Sequence, residues 1–436
     1  MTKSSEVDQD DIVRARNVLL ASGRRTPREE VDAYRVLARV SPAAYLPPLA
    51  RALQRLSFDR SYDDLSEARL ALCEEAVVAA RAVDPAEPSR ADLLYEALDR
   101  CQRALCTVGR RAEGLALRAE MLSIGRAQAK SSGGGMVKGL TSWATGLSEE
   151  GRYAEAADAL AESVAQERPD GPRSGGFAWL LLQWIAVLDT AGRPAEALTA
   201  MEELVGMEAT EAANDRGPLA CHLYALIRYA QMLDGAVRHG EAAAVRQEAL
   251  AVLTELAAHG ERRSWSGYQT SVWAVLLFMS GADSERPVPG EPRPPVGTEP
   301  LHWSPDVKEQ YFRSREVLRD EVDALALRAA ERPDRLAELV RLQRVLAVRS
   351  AVYWEFRTHL FAERARGLFD EGVGLARRLH QYDAPVGRRA LATALTDRAT
   401  FYVAAKEFDA ASEDFRQVSE LLGEQTDEPG APTAWA

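Results

Sequence analysis

Apolar and small residues recur at intervals of three and four along most of this chain, with charged residues between them. That spacing lays one apolar stripe along a helix. One phrase built this way returns. GRRAEGLALRAEMLS begins at Gly109, GRYAEAADALAESVA at Gly151 and GRPAEALTAMEELVG at Gly192, so the starts lie 42 and 41 residues apart. VRHGEAAAVRQEALAVL puts Val237 at the same place, 45 residues after Gly192, and AKEFDAASEDFRQVSELL puts Lys406 there. An apolar helix precedes each copy: LLYEALDRCQRALC, LTSWATGLSE, FAWLLLQWIAVLDT, LYALIRYAQMLD and ATALTDRATFYVAA.

Each part of the phrase has a physical role. The opening Gly, or its substitute, lets the chain turn out of the first helix. A small residue then follows at Gly114, Ala156, Ala197, Ala242 and Ala411, where the absence of bulk lets two helices approach. Leu160, Met201 and Phe415 stand four residues later and fill the space beside them. In the preceding helix, Trp143, Trp184 and Tyr229 share one equivalent position, and Leu147, Leu188 and Leu233 share another four residues on. Both positions therefore lie on one helical face.

This pattern resembles the tetratricopeptide repeat, over about residues 90–280 and again over 385–423. SPAAYLPPLARALQRLSF (41–58) and LSEARLALCEEAVVAARAVDP after it are similar to the arrays of bacterial signalling and conflict proteins. The period is longer than the standard repeat of ~34 residues by about 7 to 11. Longer helices or loops such as KSSGGGMVK absorb the difference. The resemblance implies an all-α chain, a TPR-like alpha-alpha superhelix of antiparallel helix pairs, with the first helix of each pair lining a concave groove. The groove positions it implies are Glu96, Asp99, Arg100 and Arg103, then Lys138, Thr141 and Thr145. Further along they are Trp179, Gln183, Ala186 and Asp189, followed by Tyr224, Ile227, Arg228 and Gln231. Trp179 stands in an all-round apolar helix, so a core role is equally open for it. The Lys and Asn of the carboxylate clamp found in some chaperone-binding relatives are mostly replaced here by Thr, Asp and Gln. Capture of a peptide's terminal carboxylate is therefore not implied.

Organisation follows from where the pattern breaks. Residues 1–280 read as an N-terminal array and 305–423 as C-terminal helical repeats, with a disordered tail at 424–436. Between the arrays, 281–304 is rich in Pro and Gly and excludes helix. It is either a linker between domains or a loop inserted within one repeat. In the second case the helix at 305–331 folds back as partner to SGYQTSVWAVLLFMS.

Composition narrows the partners. The net charge is −12 over 436 residues, which argues against nucleic acid and anionic membranes as ligands. The most apolar run, FAWLLLQWIAVL, is too short to cross a bilayer, which takes roughly 20 residues. Cys73, Cys101, Cys106 and Cys221 form no metal-binding or redox spacing, so a reduced, cytoplasmic protein with buried thiols is expected.

No motif carries catalysis or a cofactor. The six histidines include no pair four apart, and Cys221 and His222 diverge by about 100° on a helix. SSGGGMVK departs from the phosphate-loop pattern and falls between two repeats. Glu355 and His359, four apart, are the best acid–base pair in a stretch lacking a clean repeat phrase. The expectation is a non-catalytic scaffold for a protein or peptide, with no metal or cofactor, in bacterial signalling or regulation. The alternatives are a signalling-peptide receptor that changes curvature, and an enzyme hidden in 305–405.

Overall fold

The structure is a computed structural model. It describes residues 8–21, 23, 25–168, 175–263, 268–285, 290–354 and 358–423. The expected tail at 424–436, and Glu355 of the acid–base pair, lie outside these residues. Among the described residues the fold is all-α, with short 3-10 turns beside the helices. The first helices are α1 (Gln9–Leu20), α2 (Pro27–Val40), α3 (Pro42–Leu56), α4 (Ser66–Arg81), α5 (Arg90–Thr107), α6 (Arg111–Ser131) and α7 (Leu140–Glu149). Then come α8 (Tyr153–Glu167), α9 (Gly175–Thr190), α10 (Pro194–Ala213), α11 (Leu219–Gly235), α12 (His239–His259) and α13 (Tyr268–Gly281). After the Pro-rich stretch follow α14 (Pro305–Glu331), α15 (Leu336–Trp354), α16 (Thr358–Tyr382), α17 (Ala384–Ala404) and α18 (Phe408–Gly423).

The chain forms two compact units. One holds the residues up to Leu147 together with Ser304–Asp306, and the other holds Ser148–Trp303 and the chain from Val307 on. Within each unit successive helices pack in pairs, as α2 on α3, α5 on α6, α9 on α10 and α17 on α18.

All five phrase starts are left-handed turns. Gly109, Gly151 and Gly192 have φ of +79°, +73° and +74°, and Val237 and Lys406 adopt +61° and +64° without being glycine. The turn closes the helix before it. Gly192 N donates to Asp189 O at 3.0 Å and Arg193 N to Leu188 O at 2.9 Å, and Val237 and Arg238 do the same onto Asp234 and Leu233. The residue after the turn starts the next helix, and in four copies it is an arginine. Nε of Arg110, Arg152, Arg193 and Arg238 donates at 2.7 Å to the carboxylate three residues on, Glu113, Glu155, Glu196 and Glu241. Two of these arginines also reach back one repeat, Arg110 to Glu74 and Arg193 to Asp158, each at 3.0 Å.

The small residues do what their size permits. Ala156, Ala197, Ala242 and Ala411 are completely buried. A methyl group at Gly114 would come within 3.1 Å of Cys106 Sγ. Leu160, Met201 and Phe415 are buried, as are Leu147, Leu188 and Leu233. Trp143, Trp184 and Tyr229 are half-buried. A carboxylate from a later repeat replaces the missing cap of α11. Glu261 accepts from Leu219 N at 3.1 Å, Ala220 N at 2.9 Å and Gln269 Nε2 at 3.0 Å.

In the second unit the C-terminal helices turn back onto the array. α13 packs against α11, α15 and α17, and α12 packs against α18. A buried ion pair ties three of these helices. Arg344 donates to Asp397 at 2.7 and 3.2 Å and to Ser280 Oγ at 3.0 Å. α14 reaches α13 through its first turns, where the Tyr311 ring lies 5.6 Å from Phe278. The extended packing of α13 is with α15 and α17, so the long helix after the Pro-rich stretch is not its main companion.

Candidate functional site

In the first unit the implied positions on α5, α7 and the approach to α7 range from exposed to buried. Glu96, Lys138 and Thr141 are exposed, Arg100 and Arg103 are half-buried, and Thr145 is buried with its hydroxyl on Thr141 O at 2.9 Å. Two of the cations sit over aromatic rings. The Arg100 guanidinium lies 4.2 Å from the centre of Phe58, and Lys138 Nζ lies 4.0 Å from the centre of Tyr95. Phe58 keeps 65% of its surface exposed. Neither ring was among the residues the repeat register implied. Phe58 ends the quoted stretch 41–58, and an apolar residue in a turn just past a helix is the signal that marks it.

In the second unit the implied positions meet the chain itself. Trp179 is half-buried, edge-on to Tyr268 at 5.7 Å, and Gln183 and Ala186 are buried. Asp189 pairs with Arg228 at 3.3 Å, and burial pushes its carboxyl up against that attraction. Tyr224 is buried, its hydroxyl has no hydrogen-bond partner among the described residues, and burial pushes its ionisation well up. Tyr224, Ile227, Arg228 and Gln231 line a narrow cleft closed on its other walls by α13 and by Thr396, Asp397 and Thr400 of α17. The cleft has about 20 Å³ of free space, enough for a single water.

The face of α9 that carries Gln183 and Ala186 is covered by the Pro-rich stretch. Arg293 N donates to Glu149 O at 2.9 Å at the end of α7. Gly297 lies so close over α9 that a Cβ there would stand 2.5 Å from Ala186 Cβ and 2.7 Å from Leu182 O. Thr298 and Pro300 are buried, and the Glu299 carboxylate, pushed up by burial, bonds to Ser271 of α13. Trp303 anchors the end, fully buried, its Nε1 donating to Thr298 O at 2.8 Å and its ring 5.7 Å from Phe278.

Chemically the described residues offer contact and charge. Among them no group of three His, Cys, Asp or Glu side chains is placed to hold a metal ion. All four cysteines are buried thiols, and burial pushes Cys101 up to about 12, away from the reactive thiolate form. No described helix is long and apolar enough to cross a membrane. The SSGGGMVK stretch forms the connection between α6 and α7, as the repeat register places it.

No family profile matches the chain, and no curated protein matches it. Solved structures do. A putative kinesin light chain with nearly identical TPR-like repeats from Podosopora anserina is 17% identical, with a TM-score of 0.37 over 50% of this chain and 99% of its own. A single-substitution variant of that protein matches at 17% identity and a TM-score of 0.36, over 49% of this chain and 98% of its own. BtubC (BKLC) from P. vanneervenii is 16% identical, with a TM-score of 0.38 over 59% of this chain and 96% of its own.

Proposed function

We propose that this protein is a non-catalytic interaction scaffold, and that the first unit supplies its docking face for an acidic protein segment. One observation supports this above the others: Arg100 and Lys138 lie over Phe58 and Tyr95, with Phe58 and Lys138 exposed. A cation stacked on a ring is held in place while its donors stay free to meet carboxylates. Exposed aromatic and Arg side chains carry much of the energy where proteins meet. The helices beneath are rigid, because their small residues are buried and their turns are closed, so the face is preorganised.

The test is affinity capture from the native cell with the full chain and with an Arg100→Glu, Lys138→Glu double variant, each bound protein quantified by mass spectrometry. Lys138 is exposed and Arg100 half-buried, so a thermal melt of the variant beside the parent separates loss of binding from loss of fold. The expected result is a specific set of proteins lost from the double variant and retained by a chain carrying only the charge-keeping Arg100→Lys. An identical set retained by both chains overturns the assignment of this face.

A further inference from the structure

The stretch 290–303, GEPRPPVGTEPLHW, neither spans solvent nor forms a helix of its own, apart from one 3-10 turn at Pro300–His302. It crosses from the end of α7 over α9 to α13, and the contacts described above are ones that a separate peptide could make. We propose that the covered face of α9 and α13 is a binding surface for an extended, proline- and glycine-containing peptide, and that residues 290–303 are its resident occupant.

Four features carry this. The prolines at 292, 294, 295 and 300 carry no backbone N–H, so the strand lies on a helical face that has few free carbonyls without stranding donors. Gly297 has φ of +81° and no room for a Cβ, so the surface selects glycine at that point on two grounds. Glu299 on Ser271 and Trp303 against Phe278 fix the register at the far end, one by a hydrogen bond and one by an apolar socket. Finally, Gln183 and Ala186, the α9 positions that the repeat register turns towards a ligand, are those beneath Gly297. The strand therefore occupies a ligand's place, and a partner of like chemistry must displace it. This surface belongs to the second unit and shares no residue with the first-unit face, so either can fail alone.

The experiment uses the full chain and a fluorescein-labelled peptide of sequence GEPRPPVGTEPLHW. In Gly297→Leu the resident strand cannot keep its place, because the new Cβ would overlap Ala186 and the backbone φ is one that leucine avoids. Removing an internal competitor raises apparent affinity by the inverse of the open fraction, so the variant should bind the peptide about tenfold or more tightly than the parent. Adding Ala186→Trp, which fills the receiving face, should abolish the gain. A helical, folded Gly297→Leu chain with no gain overturns the proposal, and so does a gain that survives Ala186→Trp. Dimerisation of the variant in sedimentation, with no peptide bound, overturns it, because a second copy and not the peptide then covers the opened face. If Gly297→Leu does not fold, the parent chain decides: excess peptide should speed amide exchange across 290–303, and unchanged exchange overturns the displacement.

Discussion

The left-handed turn that opens each phrase carries a stability prediction whose sign is unusual. Val237 stands at φ of +61°, where the equivalent Gly192 stands at +74°. A β-branched residue held there costs roughly 1–3 kcal/mol, which glycine avoids. Glycine returns some of that, about 0.5–1 kcal/mol, through the extra freedom of its unfolded chain. The valine is 69% exposed, so removing its side chain forfeits at most about 0.5 kcal/mol of burial. Val237→Gly should therefore stabilise the second unit by about 1 kcal/mol, although it deletes an apolar side chain. The reverse change isolates the backbone term. Nothing lies within 4 Å of a Cβ built on Gly192, so Gly192→Val adds strain without a clash and should cost about 1–2 kcal/mol. Urea titrations followed by far-ultraviolet circular dichroism read both as shifts of the midpoint at constant slope. Shifts of the same sign, or a Val237→Gly midpoint that falls, would refute the reasoning.

Three further outcomes follow from burial. Ala197→Glu places a carboxylate where the parent side chain is wholly enclosed, so it should lose several kcal/mol and collapse the thermal transition. Thr199→Lys, two residues on and exposed, should stay within about 0.5 kcal/mol of the parent in the same melt. Glu208 is pushed up from 4.5 to about 7 by burial and then by Glu211. The folded state thus holds its proton more tightly than the unfolded state. Its contribution is fully present below the unfolded value and is lost as pH rises through about 7, a swing on the order of 3 kcal/mol. Glu208→Gln should flatten stability between about pH 4.5 and 7 in denaturant titrations, and an unchanged slope would sink this assignment.

The local grammar of the fold was legible in the sequence. Period and size identified the turns at Gly109, Gly151 and Gly192, and the same register located the left-handed turns at Val237 and Lys406, where no glycine marks them. It also located the buried small residues at Ala156 and Ala197. The Arg-to-Glu clamp across each helix start sits inside the quoted phrases, as GRRAE, GRYAE, GRPAE and VRHGE, and could have been read from them. What covers α9 and α11 could not. Tyr224 and Gln183 are buried by α17 and by residues 290–303, which lie far along the chain. Helical periodicity states which face is apolar and is silent on which distant segment comes to rest there. Phe58 and Tyr95 were missed for a related reason: a ring beneath a cation is set by a turn or connection meeting a helix, not by spacing within one helix.

The single carboxylate of Glu261 makes two neighbouring repeats depend on each other. It closes the exposed amides at the start of α11 and holds Gln269 at the start of α13. Loss of order in the turn after α12 would therefore uncap a helix some forty residues earlier and, at the same moment, loosen one that lies ahead. Fraying at this joint would spread in both directions, so these rods should melt as one block with matched amide protection rather than peel away one at a time.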